Sequence, residues 1–283
     1  MGIHYYEPES IKEASEILKQ YPKAVPVAGG TDVMVRYNKR IQPFDAFVNI
    51  KKIRELNAEV TQEDGFICVG SLIKHNQLIM EPLLQKYYPA LITAVINIGT
   101  NQIRNLGTLG GNICNASPCA DSVAILTALG AVAVLSDGVR EREVLLKEFF
   151  TGPGKTVLEQ GELLTKVKIP IAPKGFRQYF EKIGRRKAAE ISVVNIGMTA
   201  LIEDEVVQET EMVLGSVGPK IVCPDGIRKL MIGKKVDTID RDRVIETAVA
   251  AICPISDVRA SAWYRTHVTS VLVKNALDAV LEG

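Results

Sequence analysis

Apolar residues recur at helical spacing over Ile11, Ala14, Ile17 and Leu18 behind Ser10 and Glu13, a capping-box pair, and Tyr21-Pro22 ends that helix. A short apolar strand, Ala24 to Ala28, then runs straight into a Gly-Gly turn. "FDAFVNI" reads as the next strand, and "NAEVTQEDGFICVG" as two strands around an Asp64-Gly65 turn. Between Ser71 and Ile98 the period turns helical, with Pro82 and Pro89 dividing it into two or three short helices. A glycine-rich stretch, "GTLGGNICNASPCADS", follows, then a helix over Ser122 to Leu129, a strand "AVAVLS", a turn at Asp137-Gly138, a short helix near "LLKEFF" and a strand "LLTKVKIP".

The segment "PIAPKG" has the composition of a linker, so a boundary is predicted near residue 173. Beyond it, strands are predicted at "FRQYFEKIG", "SVVNIGMTALIED" and "EMVLGSVGP", and helices over 241–252 and 261–281. In the last helix Val268, Leu272, Ala276 and Val280 repeat every four residues, and Trp263 is expected to pack nearby in the core. No internal repeat is visible.

The 283 residues and an apolar fraction of 47% suffice for a real core, and exclude a disordered chain. With 34 Lys+Arg against 33 Asp+Glu the net charge is +1, which argues against nucleic acid or a membrane surface as the main partner. The start, MGIHYYEPES, lacks a secretory pattern, no apolar run approaches the length of a membrane span, and Tyr6 stands where a myristoylation signal wants Ser or Thr. A cytoplasmic protein is expected. The five cysteines form no CxxC pair, and Cys114 and Cys119, separated by four residues, have no second ligand pair, so no metal site is predicted. His4, His75 and His267 are too dispersed for a triad and read as ordinary surface or core residues.

"AGGTD" (Ala28 to Asp32) and "TLGGN" (Thr108 to Asn112) share one design, paired glycines with a Thr beside them and a polar or acidic residue after. Glycine permits φ > 0 and close approach of main-chain N–H groups, so the two turns are expected to form two anion nests suited to a diphosphate. Each alone could be merely a tight turn. "GPGKT" resembles the end of a P-loop, but Phe149 stands where its first glycine would be, and no GxGxxG opens a helix after a strand.

"AGGTD", "IRNLGTLGGNICNASPCADS", "FFTGPGKTVLEQGELLTKVKIP" and "FEKIGRRKAAEISVVNIG" together resemble the FAD-binding (medium) subunit of the molybdenum hydroxylases, the family of xanthine, carbon monoxide and nicotinate dehydrogenases. The resemblance spans the whole chain. It implies an α+β fold: a vanillyl-alcohol-oxidase (PCMH)-type FAD-binding domain over 1–173, in subdomains of about 1–55 and 56–173. A smaller C-terminal α+β domain with a three-stranded antiparallel sheet would occupy 174–283. Positions matching the family's FAD contacts are Val27, Ala28, Gly29, Gly30, Thr31, Asp32 and Val33, then Thr108, Leu109, Gly110, Gly111 and Asn112, then Asp121, Leu163 or Leu164, and Lys182. Asp121 could equally be a helix N-cap, and Lys182 a surface lysine on a strand. "GRRK" (Gly184 to Lys187) could meet an acceptor's phosphates or an acidic partner, or be a solvated loop.

The resemblance further implies a non-covalent FAD and no catalytic residue on this chain. It implies as partners a small [2Fe-2S] subunit and a large molybdopterin subunit, with NAD(P) or another acceptor taking the electrons. A purine or another N-heterocycle such as nicotinate is the expected substrate of the complex. Glu190 departs from the family, whose members often carry Asp before the Ile-[Ala/Ser] pair, and no Cys-rich iron-sulfur insertion is present. The alternatives are a self-contained flavoenzyme of the same fold and a scaffold that has lost its cofactor.

Overall fold

The computed structural model describes residues 3–186 and 189–282; Lys187, the last residue of "GRRK", lies outside them. The first layer is a parallel sheet of β1 (His4–Tyr6), β2 (Val25–Val27) and β3 (Ala46–Asn49) in the order β1-β3-β2, crossed by α1 (Ile11–Gln20) and α2 (Val33–Asn38). Ser10 caps α1 by accepting from the Glu13 amide at 3.2 Å, while Glu13 accepts from the Glu9 amide at 2.9 Å. Ile11, Ala14 and Leu18 then close over Val48 and Ile53 as a small core.

Next come β4 (Val60–Glu63), β5 (Phe66–Gly70) and a run of short helices, α3 (His75–Met80), α4 (Pro82–Tyr87), α5 (Pro89–Ile96), α6 (Asn101–Arg104) and α7 (Leu109–Cys114). Prolines open α4 and α5, where a missing N–H costs nothing. They lead into α8 (Asp121–Ala128), β6 (Val132–Ser136), β7 (Glu141–Leu145), α9 (Leu146–Phe149), the hairpin of β8 (Phe150–Gly152) and β9 (Lys155–Thr156), and β10 (Leu163–Pro170). Five strands make an antiparallel sheet in the order β4-β5-β10-β6-β7. "GPGKT" therefore bridges a tight hairpin, not a strand and a helix.

The last part has β11 (Phe176–Ile183), β12 (Val194–Glu203) and β13 (Val206–Gly215) as a three-stranded antiparallel meander, then α10 (Ile227–Met231), α11 (Arg241–Ala250) and α12 (Ala262–Glu282). The expected α+β class with a C-terminal three-stranded sheet is the observed one. Strand β12 is buried through its first seven residues because α12 covers one face and α8 the other. A Cβ on Gly197 would lie 2.7 Å from the Ile125 Cα, so helix backbone sits directly on the strand. All eight residues of α8 are buried.

Trp263 departs from its expected place: it is 73% exposed and stacks on His267 at 5.6 Å. The inward stripe of α12 runs through Arg265, Val268, Leu272 and Ala276, and position 263 lies two residues, roughly 200°, around the helix from 265. Arg265 takes the buried place instead, donating to the carbonyls of Val193 and Ser216 and to Asp257 Oδ1. No described helix is long and apolar enough to cross a membrane.

Candidate functional site

A cavity of about 310 Å³ opens where the parallel layer meets the five-stranded sheet. Its walls carry Val27 to Val33 from one side, Thr108, Gly110, Gly111 and Asn112 from another, and Leu163 and Leu164 from the start of β10. Residues far apart in sequence thus line one cavity because β2 ends and β10 begins there.

The two glycine turns are built differently. Gly30 has φ +70, the left-handed region that a side chain resists, and the amides of Gly29, Gly30, Thr31 and Asp32 have no hydrogen-bond partner among the described residues. Four successive N–H groups without partners on a cavity wall make an anion nest. A Cβ on Gly29 would fall 2.1 Å from the Leu106 carbonyl oxygen, so that glycine lets the two turns touch.

The second turn corrects the expectation of a matching nest. Gly110 and Gly111 lie in the first turn of α7, with neither at positive φ, and Thr108 is its N-cap. The amides of Leu109, Gly110, Gly111 and Asn112 donate to Ile73 O, Ser71 O, Thr108 Oγ1 and Thr108 O, at 2.9, 2.9, 3.1 and 3.0 Å. Gly110 is required by packing, since a Cβ there would meet Ser71 Cβ at 2.7 Å. This side of the cavity offers a bare, closely approached backbone rather than free donors. Leu109 points away from it into the core and is fully buried.

Asp121 and Lys182 stand outside the lining and meet each other, Lys182 Nζ lying 2.7 Å from Asp121 Oδ2. Lys182 also donates to the carbonyls of Asn97 and Glu190, and Asp121 Oδ1 accepts from Ser192 Oγ and, at 2.9 Å, from Asn195 Nδ2. Burial pushes the Asp121 carboxyl up, and Lys182, Ser192 and Asn195 pull it back. Neither alternative from the sequence describes them, for Asp121 is the first helical residue rather than the N-cap, and Lys182 is only 11% exposed. The cluster reaches the cavity through neighbours: Asn97 precedes Ile98 of the lining, and Ser122 donates to Asn112 Oδ1 at 2.7 Å.

Sequence reasoning overlooked five polar members of the lining, Arg36, Ser71, His75, Asn115 and Glu162. His75 is 2% exposed, and burial, then Arg104, brings its pKa down to about 4, so it is neutral at ordinary pH. Glu162 accepts from Arg142 Nε and Nη2, both at 2.7 Å, which holds its carboxyl below the usual range. Asp32 and Arg36 at helical spacing were the available signal for the pair they form.

The fit to a dinucleotide flavin is geometric: a nest of free amides faces a backbone approach surface, with apolar leucines beside both. Comparison with known proteins agrees. A family model for the FAD binding domain in molybdopterin dehydrogenase matches residues 1–172, and one for the CO dehydrogenase flavoprotein C-terminal domain matches 178–280. The chain is 30% identical to the glyceraldehyde dehydrogenase medium chain of Sulfolobus acidocaldarius over 98% of this chain and 97% of that one. It is 34% identical to the nicotinate dehydrogenase FAD-subunit of Eubacterium barkeri over 71% and 70% of the two. Its fold is similar to a solved chain of carbon monoxide dehydrogenase from Hydrogenophaga pseudoflava, with TM-score 0.94 at 27% identity over 100% of this chain and 98% of that one. The chain therefore belongs to the FAD-binding flavoprotein subunits of the molybdopterin dehydrogenases, oxidoreductases whose flavin is carried by a subunit of this kind.

Proposed function

We propose that this chain is the electron relay of a cytoplasmic, multi-subunit molybdenum hydroxylase. Its two domains meet near residue 173, and its cavity holds one FAD without a covalent link. Bound FAD would supply redox chemistry between the [2Fe-2S] clusters of a small partner subunit and NAD(P)+ or another acceptor, while a large molybdopterin subunit oxidises the substrate. The reading is carried by the run of unpartnered amides from Gly29 to Asp32. Those N–H groups bind the diphosphate, Gly110 and Gly111 let it approach, and Leu163 and Leu164 form an apolar wall. Asp121 and Lys182 hold the C-terminal domain against this site. The Eubacterium barkeri relative supports nicotinate, or another N-heterocycle such as a purine, as the substrate class.

The test is made on the FAD-loaded chain alone. It is expected to catalyse dye reduction by NADH or NADPH where a pyridine nucleotide is the acceptor, to ignore purines and nicotinate, and to support their oxidation once both partner subunits are added. Reduction of its flavin by such a substrate with the partners absent would show a self-contained flavoenzyme.

A further inference from the structure

We propose that Arg36 supplies the counter-charge for the FAD diphosphate and clasps the two glycine turns together, an inference that rests on the FAD reading above. Helix α2 springs from the first turn, its amides at Met34 and Arg36 donating to Gly30 O and Asp32 O at 3.0 and 3.1 Å. That places the Arg36 guanidinium beside the nest. Its Nε lies 2.6 Å from Asp32 Oδ2, and its Nη2 donates to Asn115 Oδ1. Asn115 is the residue just after α7, the helix whose first turn holds Gly110 and Gly111. One side chain thus joins elements 79 residues apart, across the cavity that it lines.

The charges of the lining single it out. Among the described residues Arg36 is its only lysine or arginine. Of the two carboxylates there, Glu162 is held by Arg142 through Nε and Nη2, and Asp32 holds Arg36 itself. A diphosphate diester is a dianion, and amide N–H groups bring it hydrogen bonds but no net charge. Arg36 Nη1 has no partner among the described residues, so the guanidinium has a donor left for a phosphate oxygen while Asp32 fixes its plane. A solvated pair between residues four apart on a helix would need neither the cavity position nor the reach to Asn115.

The experiment is FAD titration of the flavin-stripped chain in three forms, wild type, Arg36→Gln and Arg36→Lys, at low and at high salt, followed by flavin fluorescence. The Gln variant is expected to bind about tenfold to a hundredfold more weakly at low salt, the ratio carried by one charge-assisted hydrogen bond. The gap is expected to narrow at high salt, where the screening length falls to about 3 Å. The Lys variant, which keeps charge and helix, is expected to recover most of the loss. Equal affinity of wild type and Gln variant, or a loss that neither salt nor lysine changes, overturns the role of Arg36 and leaves the FAD site standing. A wild-type chain that takes up no FAD overturns both.

Discussion

Lys182 of β11 and Asp121 at the start of α8 form an ion pair at 2.7 Å with only 11% and 6% of their side chains exposed. One belongs to the C-terminal sheet and the other to the helix beneath it, so the pair is a charged weld placed next to the cofactor cavity. Its worth lies less in net stability than in what its loss leaves behind, because a buried carboxylate without its cation is strongly disfavoured.

Lys182→Met is accordingly expected to destabilise the chain by about 3–5 kcal/mol near neutral pH. Burial already raises the Asp121 pKa above its ordinary 3.8, and loss of the lysine raises it further. A carboxyl whose folded pKa exceeds its unfolded one binds protons better when folded. Its stability contribution is full below the unfolded pKa and is lost as pH rises through the folded one. The deficit of the variant is therefore expected to shrink on acidification, when Asp121 takes up a proton. Urea unfolding of both proteins across a pH series checks this, and a deficit independent of pH refutes it.

His75 has the opposite sign. Its pKa falls from 6.5 unfolded to about 4 folded, so the unfolded chain binds more protons between those values. Stability is expected to rise with pH through that window, by up to about 1.4 kcal/mol per unit from this one group, and to be fully present above it. His75→Gln removes the contribution, and the difference between the two unfolding free energies as a function of pH measures it. Parallel curves would mean that His75 does not titrate as its burial requires.

The two glycine turns differ in what an alanine does. In Gly29→Ala the new methyl meets the Leu106 carbonyl oxygen at 2.1 Å and its carbon at 2.7 Å, backbone atoms that cannot turn aside. The variant is expected to purify with little flavin. In Gly111→Ala the only neighbour within reach is the Thr108 hydroxyl at 2.9 Å, and the backbone is helical. A disturbed N-cap costs about 1 kcal/mol and the helix propensity of alanine returns a similar amount, so the fold is expected to keep its stability, while the methyl stands on the surface that the diphosphate approaches and lowers the flavin content. The ratio of flavin to protein absorbance decides both.

Acid precipitation is expected to release the flavin into the supernatant. The cavity does hold a thiol and an imidazole, but burial pushes Cys114 up to about 12 and His75 lies deep in the wall, so neither is an activated nucleophile. Colour left in the precipitate would show a covalent bond to one of them.

Strands β10 and β12 were plain in the sequence, β10 because buried Val167 and Ile169 alternate with Lys166 and Lys168, and β12 because burial on both faces keeps its first seven residues mostly apolar. β7 was not read: its pattern of Glu, Arg and Glu around Val144 belongs to a sheet edge, half exposed, where periodicity is weak. The same limit applies to the site. Paired glycines mark unusual backbone, yet they do not say whether φ, as at Gly30, or crowding, as at Gly110, demands them. Nor does a sequence show that Ser71 and Ile73 accept from the second turn and so leave the first to bind an anion alone. Arg36 and His75 became legible only when the folded chain put them on a common wall.

Helix α8 has no side facing water. With Gly197 pressed against Ile125, and Thr199 donating from its hydroxyl to the Ala128 carbonyl at 3.0 Å, the C-terminal sheet has no lubricated surface on which to swing. Bending at this seam would have to expose a helix that is buried along its whole length. In the relay proposed above, a seam buried in this way would leave the distance between the flavin and a centre on a neighbouring subunit to be set by how the subunits dock.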